Sequence, residues 1–180
     1  MEALHIVVMG VSGCGKSKFG ARLAQALGLP RIEGDDFHDP ASRTKMASGF
    51  ALLDADRAGW LQRLGAELQR HPHGAVLSCS ALKTSYRDKL RAAEPGLRFV
   101  HMAISQAESL RRVAKRAGHF YPPSLVASQF EALQDPRDEC RVLVLDGTAS
   151  AEALLSQALD WVDATAAQRA SPGQTGAQNR

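Results

Sequence analysis

Short apolar runs alternate along the chain with longer stretches in which apolar residues recur every three or four positions. The first run, His5-Ile6-Val7-Val8-Met9, lacks a polar alternation, the pattern of a strand covered on both faces of a parallel sheet. From Lys18 to Leu27, Phe19, Leu23, Ala26 and Leu27 keep helical spacing, and Gly28 is placed to end that helix. Leu29–Gly34 reads as a turn and a short second strand, Ala75–Cys79 as the third, Leu97–Met102 as the fourth and Arg141–Leu145 as the fifth. Asp54 is placed to cap a helix running to about Arg70, with Trp60, Leu61, Leu64 and Leu68 on one face. Further helices are expected after Lys83 and over Ser105–Arg116, Ser124–Leu133 and Ser150–Val162, whereas residues 40–53 read as irregular. Strands alternating with helices predict an α/β fold, a five-stranded parallel sheet with helices on both faces and right-handed crossovers. Residues 1–165 form one domain in this reading. Residues 166–180, rich in Ala, Gln, Ser and Gly without period, form a disordered tail.

Between the first strand and helix stands Gly10-Val11-Ser12-Gly13-Cys14-Gly15-Lys16-Ser17, which fits the phosphate-binding pattern G-x-x-x-x-G-K-[ST]. The glycines let successive backbone N–H groups point at a phosphate. Lys16 brings a mobile positive charge to the β- and γ-phosphates, Ser17 a hydroxyl to Mg²⁺, and the helix N-terminus its partial charge. Strand, glycine loop and helix is the context this chemistry requires.

Length and composition narrow the class. The 180 residues suit one domain with a full core, and the net charge of +3 suits small anions and gives little reason to expect nucleic acid. No apolar run approaches the roughly 20 residues that cross a bilayer, so no membrane partner is expected. No signal peptide is expected either, because Gly10 to Lys16 interrupts the apolar start. Cys14, Cys79 and Cys140 form no C-x-x-C pair, which argues against zinc and a disulfide framework, and a thiol inside the phosphate loop points to the cytoplasm. His71 and His73 lie in a Pro-Gly turn without a third ligand nearby and read as solvated.

Other candidates follow in chain order. Asp35, in Asp35-Asp36-Phe37-His38-Asp39-Pro40, lies where a strand ends and can face the phosphate loop or cap a turn. Lys83 and Arg87 are four apart, an anion site or a solvated basic face. Arg112 and Arg116 precede Gly118-His119-Phe120-Tyr121-Pro122-Pro123, a mobile lid over about 112–124 or an ordinary loop. The third strand ends in Ser78-Cys79-Ser80 without the usual metal-organising aspartate, and the N-K-x-D pattern of GTPases is absent. Both favour a small-molecule kinase, with Asp35 taking the carboxylate's duties.

These residues resemble the P-loop gluconokinases. The matches run from Ile6 to about Val162: the phosphate loop, Gly34-Asp35 with His38, Lys45-Met46 with Gly49, and Leu52 with Asp54, Asp56-Arg57 and Trp60-Leu61. They continue through Cys79-Ser80-Ala81-Leu82-Lys83 with Tyr86-Arg87, Arg112 and Arg116 before Gly118-His119-Phe120, and Ser128-Gln129. The chain departs from the family's habit at Asp39, Ser42, Ala51 and Gly59, where Pro, Asn, Pro and Pro are usual. The resemblance implies a fold like the nucleoside monophosphate kinases, a homodimer, ATP with Mg²⁺ as cosubstrate and D-gluconate as acceptor. It further implies Lys16 and Asp35 as catalytic residues, Ser17 and Asp35 on the metal, and Gly10 to Ser17 with Arg112 and Arg116 on ATP. His38, Arg57, Lys83, Arg87, His119 and Gln129 would hold gluconate, arginine being suited to pairing a carboxylate with two parallel bonds. Shikimate and nucleoside monophosphate kinases are rivals of the same architecture. Shikimate kinases usually carry a glycine triplet where Ser78-Cys79-Ser80-Ala81 stands, and the presence of Lys16 and Asp35 disfavours a non-catalytic nucleotide-binding module.

Overall fold

A computed structural model describes residues 3–115 and 122–170, with side chains through 165. The strands are β1 (Leu4–Met9), β2 (Arg31–Glu33), β3 (Gly74–Ser78), β4 (Arg98–Ala103) and β5 (Val142–Asp146), all parallel in the order β2-β3-β1-β4-β5. The helices are α1 (Lys16–Leu27), α2 (Pro40–Ala47), α3 (Asp54–Gln69), α4 (Thr84–Ala93), α5 (Gln106–Ala114), α6 (Val126–Ala132) and α7 (Ala151–Ala170). The five-stranded parallel α/β architecture is as the apolar runs predict.

Side chains alternate across the sheet into two cores. Ile6, Val8, Val76, Val100 and Met102 face Phe19 and Leu23 of α1 and Leu154, Ala158 and Val162 of α7. Val7, Met9, Leu77 and Phe99 face Trp60, Leu61, Leu64 and Leu68 of α3 and Tyr86 and Leu90 of α4. Both faces are therefore dry, which explains the unbroken apolar runs. Because β1 lies between β3 and β4, the chain leaves it to opposite sides, and a crevice opens beyond its carboxyl end. The glycine loop fills that position.

Three expectations need correction. Residues 40–47 are helical, not irregular: the Asp39 carboxylate accepts the Ser42 N–H at 2.7 Å and Pro40 occupies the first turn, so capping makes a helix that periodicity does not announce. Asp54 is not the cap of α3 but lies in its first turn; the cap residue is Leu53, whose N–H is accepted by Asp56 at 2.7 Å. The backbone of α7 continues through 166–170, into the stretch assigned to the tail, because alanine-rich sequence is helical without an apolar stripe. Residues 171–180 lie outside the described residues. No helix among the described residues is long and apolar enough to cross a membrane.

A tight 3-10 turn, Gly34–Phe37, follows β2 and carries Asp35. Gly34 lies so close to β3 that a Cβ there would stand 2.6 Å from the Ser78 carbonyl oxygen and 2.8 Å from Cys79 Cβ. The indole N–H of buried Trp60, on α3, donates to the Gly34 carbonyl at 2.8 Å and pins the turn to that helix. Replacing Gly34 by Ala should therefore cost about 2–3 kcal/mol through overpacking. Urea unfolding measures this, and an unaltered midpoint would show that the turn can move away from β3.

Candidate functional site

The loop after β1 is held in shape by its neighbours. Gly10, Gly13 and Gly15 have φ of 142°, 78° and 93°, the region that glycine adopts without strain. A Cβ on Gly10 would lie 2.9 Å from both Cys14 Sγ and the Met102 carbonyl oxygen, whereas beside Gly15 the space within 4 Å is open. On the outer side, the Ser12 N–H donates to Gln129 Oε1 at 2.5 Å and Ser109 Oγ donates to the Ser12 carbonyl at 2.7 Å. Arg112 donates to the carbonyls of Gly13 at 3.3 Å and Gly147 at 3.0 Å, and its Nε to Glu108 at 2.5 Å. Arg111 and then Arg112 hold the Glu108 carboxyl down to about 2. The carbonyls of Ser12 and Gly13 are thus turned toward α5. Cys14, Gly15, Lys18, Arg22, Arg112 and Gly147 line a neighbouring cleft of about 180 Å³.

Lys16 opens α1, and its carbonyl accepts Ser78 Oγ at 3.4 Å. Burial pushes the Cys79 thiol up to about 12; Lys16 lowers it, while Asp35 and Glu33 raise it. One point at the end of β3 therefore feels the loop lysine and both carboxylates. Glu33 is paired in register with Ser78, so its side chain lies on the α1 face of the sheet. Its Oε2 accepts Arg31 at 2.9 Å; its Oε1 is buried and unpartnered among the described residues. The Ser17 hydroxyl, the Asp35 carboxylate and this orphaned oxygen suit a hydrated magnesium ion, which takes hard oxygen ligands and keeps waters. Among the described residues no three His, Cys, Asp or Glu side chains gather to ligate a metal unaided, so such an ion would share its shell with phosphates.

A second cleft, of about 410 Å³, is lined by Leu52, Asp54, Arg57, Lys83, Ser128 and Gln129. It brings together three of the predicted gluconate residues. Arg57 Nη1 donates to the Leu52 carbonyl and, at 3.4 Å, to the Tyr86 hydroxyl. That hydroxyl donates to Asp54, which also accepts Lys83 Nζ at 2.7 and 3.0 Å. His38 stacks on Trp60 with centroids 4.6 Å apart and planes 8° from parallel. Burial pushes its pKa down to about 4, Asp35 opposing and Arg57 assisting, so the ring is neutral at neutral pH. Gln129 serves both regions, its oxygen on the phosphate loop and its side chain at the cleft.

Arg87 is not in the cleft, contrary to the expectation that it binds the acceptor. Its side chain is wholly buried, and all its N–H groups are engaged: Nε by Glu139 at 3.0 Å, Nη1 by the Ala81 and Leu82 carbonyls at 2.8 and 2.9 Å. Nη2 is shared among Thr84, the Gln134 carbonyl and Glu139 at 3.1, 3.0 and 2.5 Å. Lys83 occupies the cap position before α4, so the spacing of four does not give a shared face. Arg116, His119 and the rest of 116–121, the middle of the expected lid, lie outside the described residues. Asp54, Tyr86 and Glu33 escaped the sequence reading as site residues. The family-like block around Tyr86 and the Glu33-Gly34-Asp35 run offered only their neighbourhood as a signal.

Residues 6–140 match a family model described as an AAA domain. The chain is 43% identical over 160 residues to a gluconokinase of Gluconobacter oxydans, a match covering 87% of this chain and 90% of that protein. It is 40% identical over 150 residues to the thermosensitive gluconokinase of Escherichia coli, covering 81% and 80%. The crystal structure of a gluconokinase from Sinorhizobium meliloti superposes with a TM-score of 0.84 at 44% identity, covering 92% of this chain and 94% of that one. The P-loop kinase fold expected from the resemblance is borne out.

Two outcomes follow from the buried groups. Although burial alone would raise the Glu139 carboxyl, Arg87 and Arg91 hold it below the usual range. Glu139→Gln should leave the Arg87 charge unanswered and cost about 3 kcal/mol in urea unfolding; an unchanged midpoint would mean that the carbonyls alone satisfy Arg87. For His38, the unfolded chain takes a proton near pH 6.5 and the folded one only near 4, so stability falls as pH drops through that window and is unaffected above it. His38→Phe, which preserves the stack on Trp60, should lose less stability than the unaltered protein between about pH 7.5 and about pH 5. Equal losses would place the acid sensitivity elsewhere.

Proposed function

Because the chain belongs to the gluconokinase family, we propose that it transfers the γ-phosphate of ATP, with Mg²⁺, to the 6-hydroxyl of D-gluconate, giving 6-phosphogluconate and ADP. The observation that carries this reading is that Asp35 links the two regions: the Cys79 thiol at the end of β3 feels it together with Lys16, and His38 feels it together with Arg57, which lines the second cleft with Lys83 and Gln129.

In this reading the loop's N–H groups, Lys16 and the α1 N-terminus hold the phosphates, and Arg112 braces the loop while lining the nucleotide's cleft. Ser17 and Asp35 would hold the metal, with the Glu33 carboxylate nearby as a further acceptor. The ion, when bound, neutralises charge on the transferring phosphoryl group. Arg57 pairs the acceptor's carboxylate and Lys83 and Gln129 its hydroxyls. His38, neutral and fixed on Trp60, accepts or donates one hydrogen bond without adding charge. Asp35 orients the 6-hydroxyl for in-line attack and takes its proton as the bond to phosphorus forms. The same reading assigns Arg116 and His119 to the closing lid, a homodimer as the assembly and the cytoplasm as the compartment.

ADP release from MgATP should depend on D-gluconate and not on shikimate, AMP or glucose. Asp35→Asn should lower turnover about a thousandfold and leave nucleotide affinity within about threefold by calorimetry. Gluconate-independent ADP release would overturn the acceptor, and normal turnover in the variant would overturn the role of Asp35.

A further inference from the structure

The second cleft contains a charge that holding an anionic acceptor does not by itself call for. Its cations are Arg57 and Lys83, yet Asp54 projects into the same wall with its side chain 64% exposed. Both Asp54 oxygens accept Lys83 Nζ, and Tyr86 donates a further hydrogen bond. Those two partners, Lys83 first, hold the Asp54 carboxyl below the usual range, so it is ionised at neutral pH. Lys83 is correspondingly held protonated by the same contact. The nearby Lys45 and Asp56 form their own pair at 2.6 Å and cancel. Among the described residues Arg57 donates through Nη1 to the Leu52 carbonyl and the Tyr86 hydroxyl, and neither carries a formal charge. Among the described residues that line the wall, Asp54, Arg57 and Lys83 therefore sum to one positive charge.

We propose that Asp54 sets the charge of the acceptor cleft, cancelling Lys83 so that the site fits an acceptor with one negative charge and disfavours dianions of the same length. This rests on the reading of that cleft as the acceptor site. The physical ground is that closing a polar cleft removes water and lowers the local dielectric, so charge mismatch is felt strongly where hydroxyl patterns are nearly the same. Gluconate and glucarate share a six-carbon hydroxylated chain and differ by one carboxylate, whose charge the cleft must answer. Asp54 also places an acceptor oxygen beside Lys83, so a sugar acid meets a mixed wall rather than two bare cations.

Asp54→Asn keeps the shape and frees Lys83; Lys83→Gln keeps the shape and leaves Asp54 uncancelled. Calorimetry with MgADP present would measure gluconate and glucarate affinities for each protein, with thermal unfolding as a check of the fold. Asp54→Asn should raise the affinity of glucarate relative to gluconate about fivefold, and Lys83→Gln should lower that ratio about fivefold. Both shifts should shrink at high salt. A ratio unchanged in both variants, or moved the same way by both, would overturn the proposal and leave Asp54 as a reader of hydroxyls. The expected ratios without gluconate-dependent turnover would overturn only the activity, and a protein that binds neither acid would overturn both.

Discussion

A guanidinium removed from water must have every N–H answered, and in this protein Arg87 collects those answers from segments that are remote in sequence. Its partners are the carbonyls of the segment leaving β3, the carbonyl of Gln134 after α6, and the Glu139 carboxylate before β5. None of them can drift without exposing a buried charge to an unmatched partner, a situation that costs several kcal/mol. The exit of β3, from which Lys83 projects, is thereby fastened to the turn that follows α6. The cleft lined by Arg57 and Lys83 inherits its rigidity from a charge that does not line it.

The phosphate half is braced by the same kind of bond in a looser form. Arg112 is partly exposed and spans the carbonyls of Gly13 and Gly147, with Glu108 fixing its own orientation. A buried arginine suits a floor that must not move, and a surface arginine suits a rim that ligands pass. Between the two, Trp60 ties the turn bearing Asp35 to α3 and supplies the face on which His38 rests. The turn that carries Asp35 is thus fastened separately from the phosphate loop.

The strands and the glycine loop were legible because burial on both faces of a sheet leaves unbroken apolar runs, and because the phosphate loop has a fixed spacing. The helix at 40–47 was not legible, since its stability lies in the Asp39 cap and Pro40 and only Ser42 and Met46 of its residues are buried. The role of Arg87 could not be read from its spacing to Lys83. A basic residue on a helix looks the same in a binding site and in a core, and its assignment depends on Glu139, 52 positions further on. Asp54 read as a cap for a similar reason: its partner Lys83 lies 29 residues away, and no local pattern encodes that pairing. Local periodicity carried the scaffold, and non-local charge pairing carried the chemistry.

The bond from the Ser12 N–H to Gln129 Oε1 makes the wall of one cleft part of the loop that forms the other. Whatever an occupant of the acceptor cleft does to the free energy of that bond, the phosphate loop experiences by the same amount. Linkage is reciprocal, so a nucleotide that reshapes the loop alters the grip on the acceptor equally. One amide oxygen thus couples the occupancy of one cleft to that of the other.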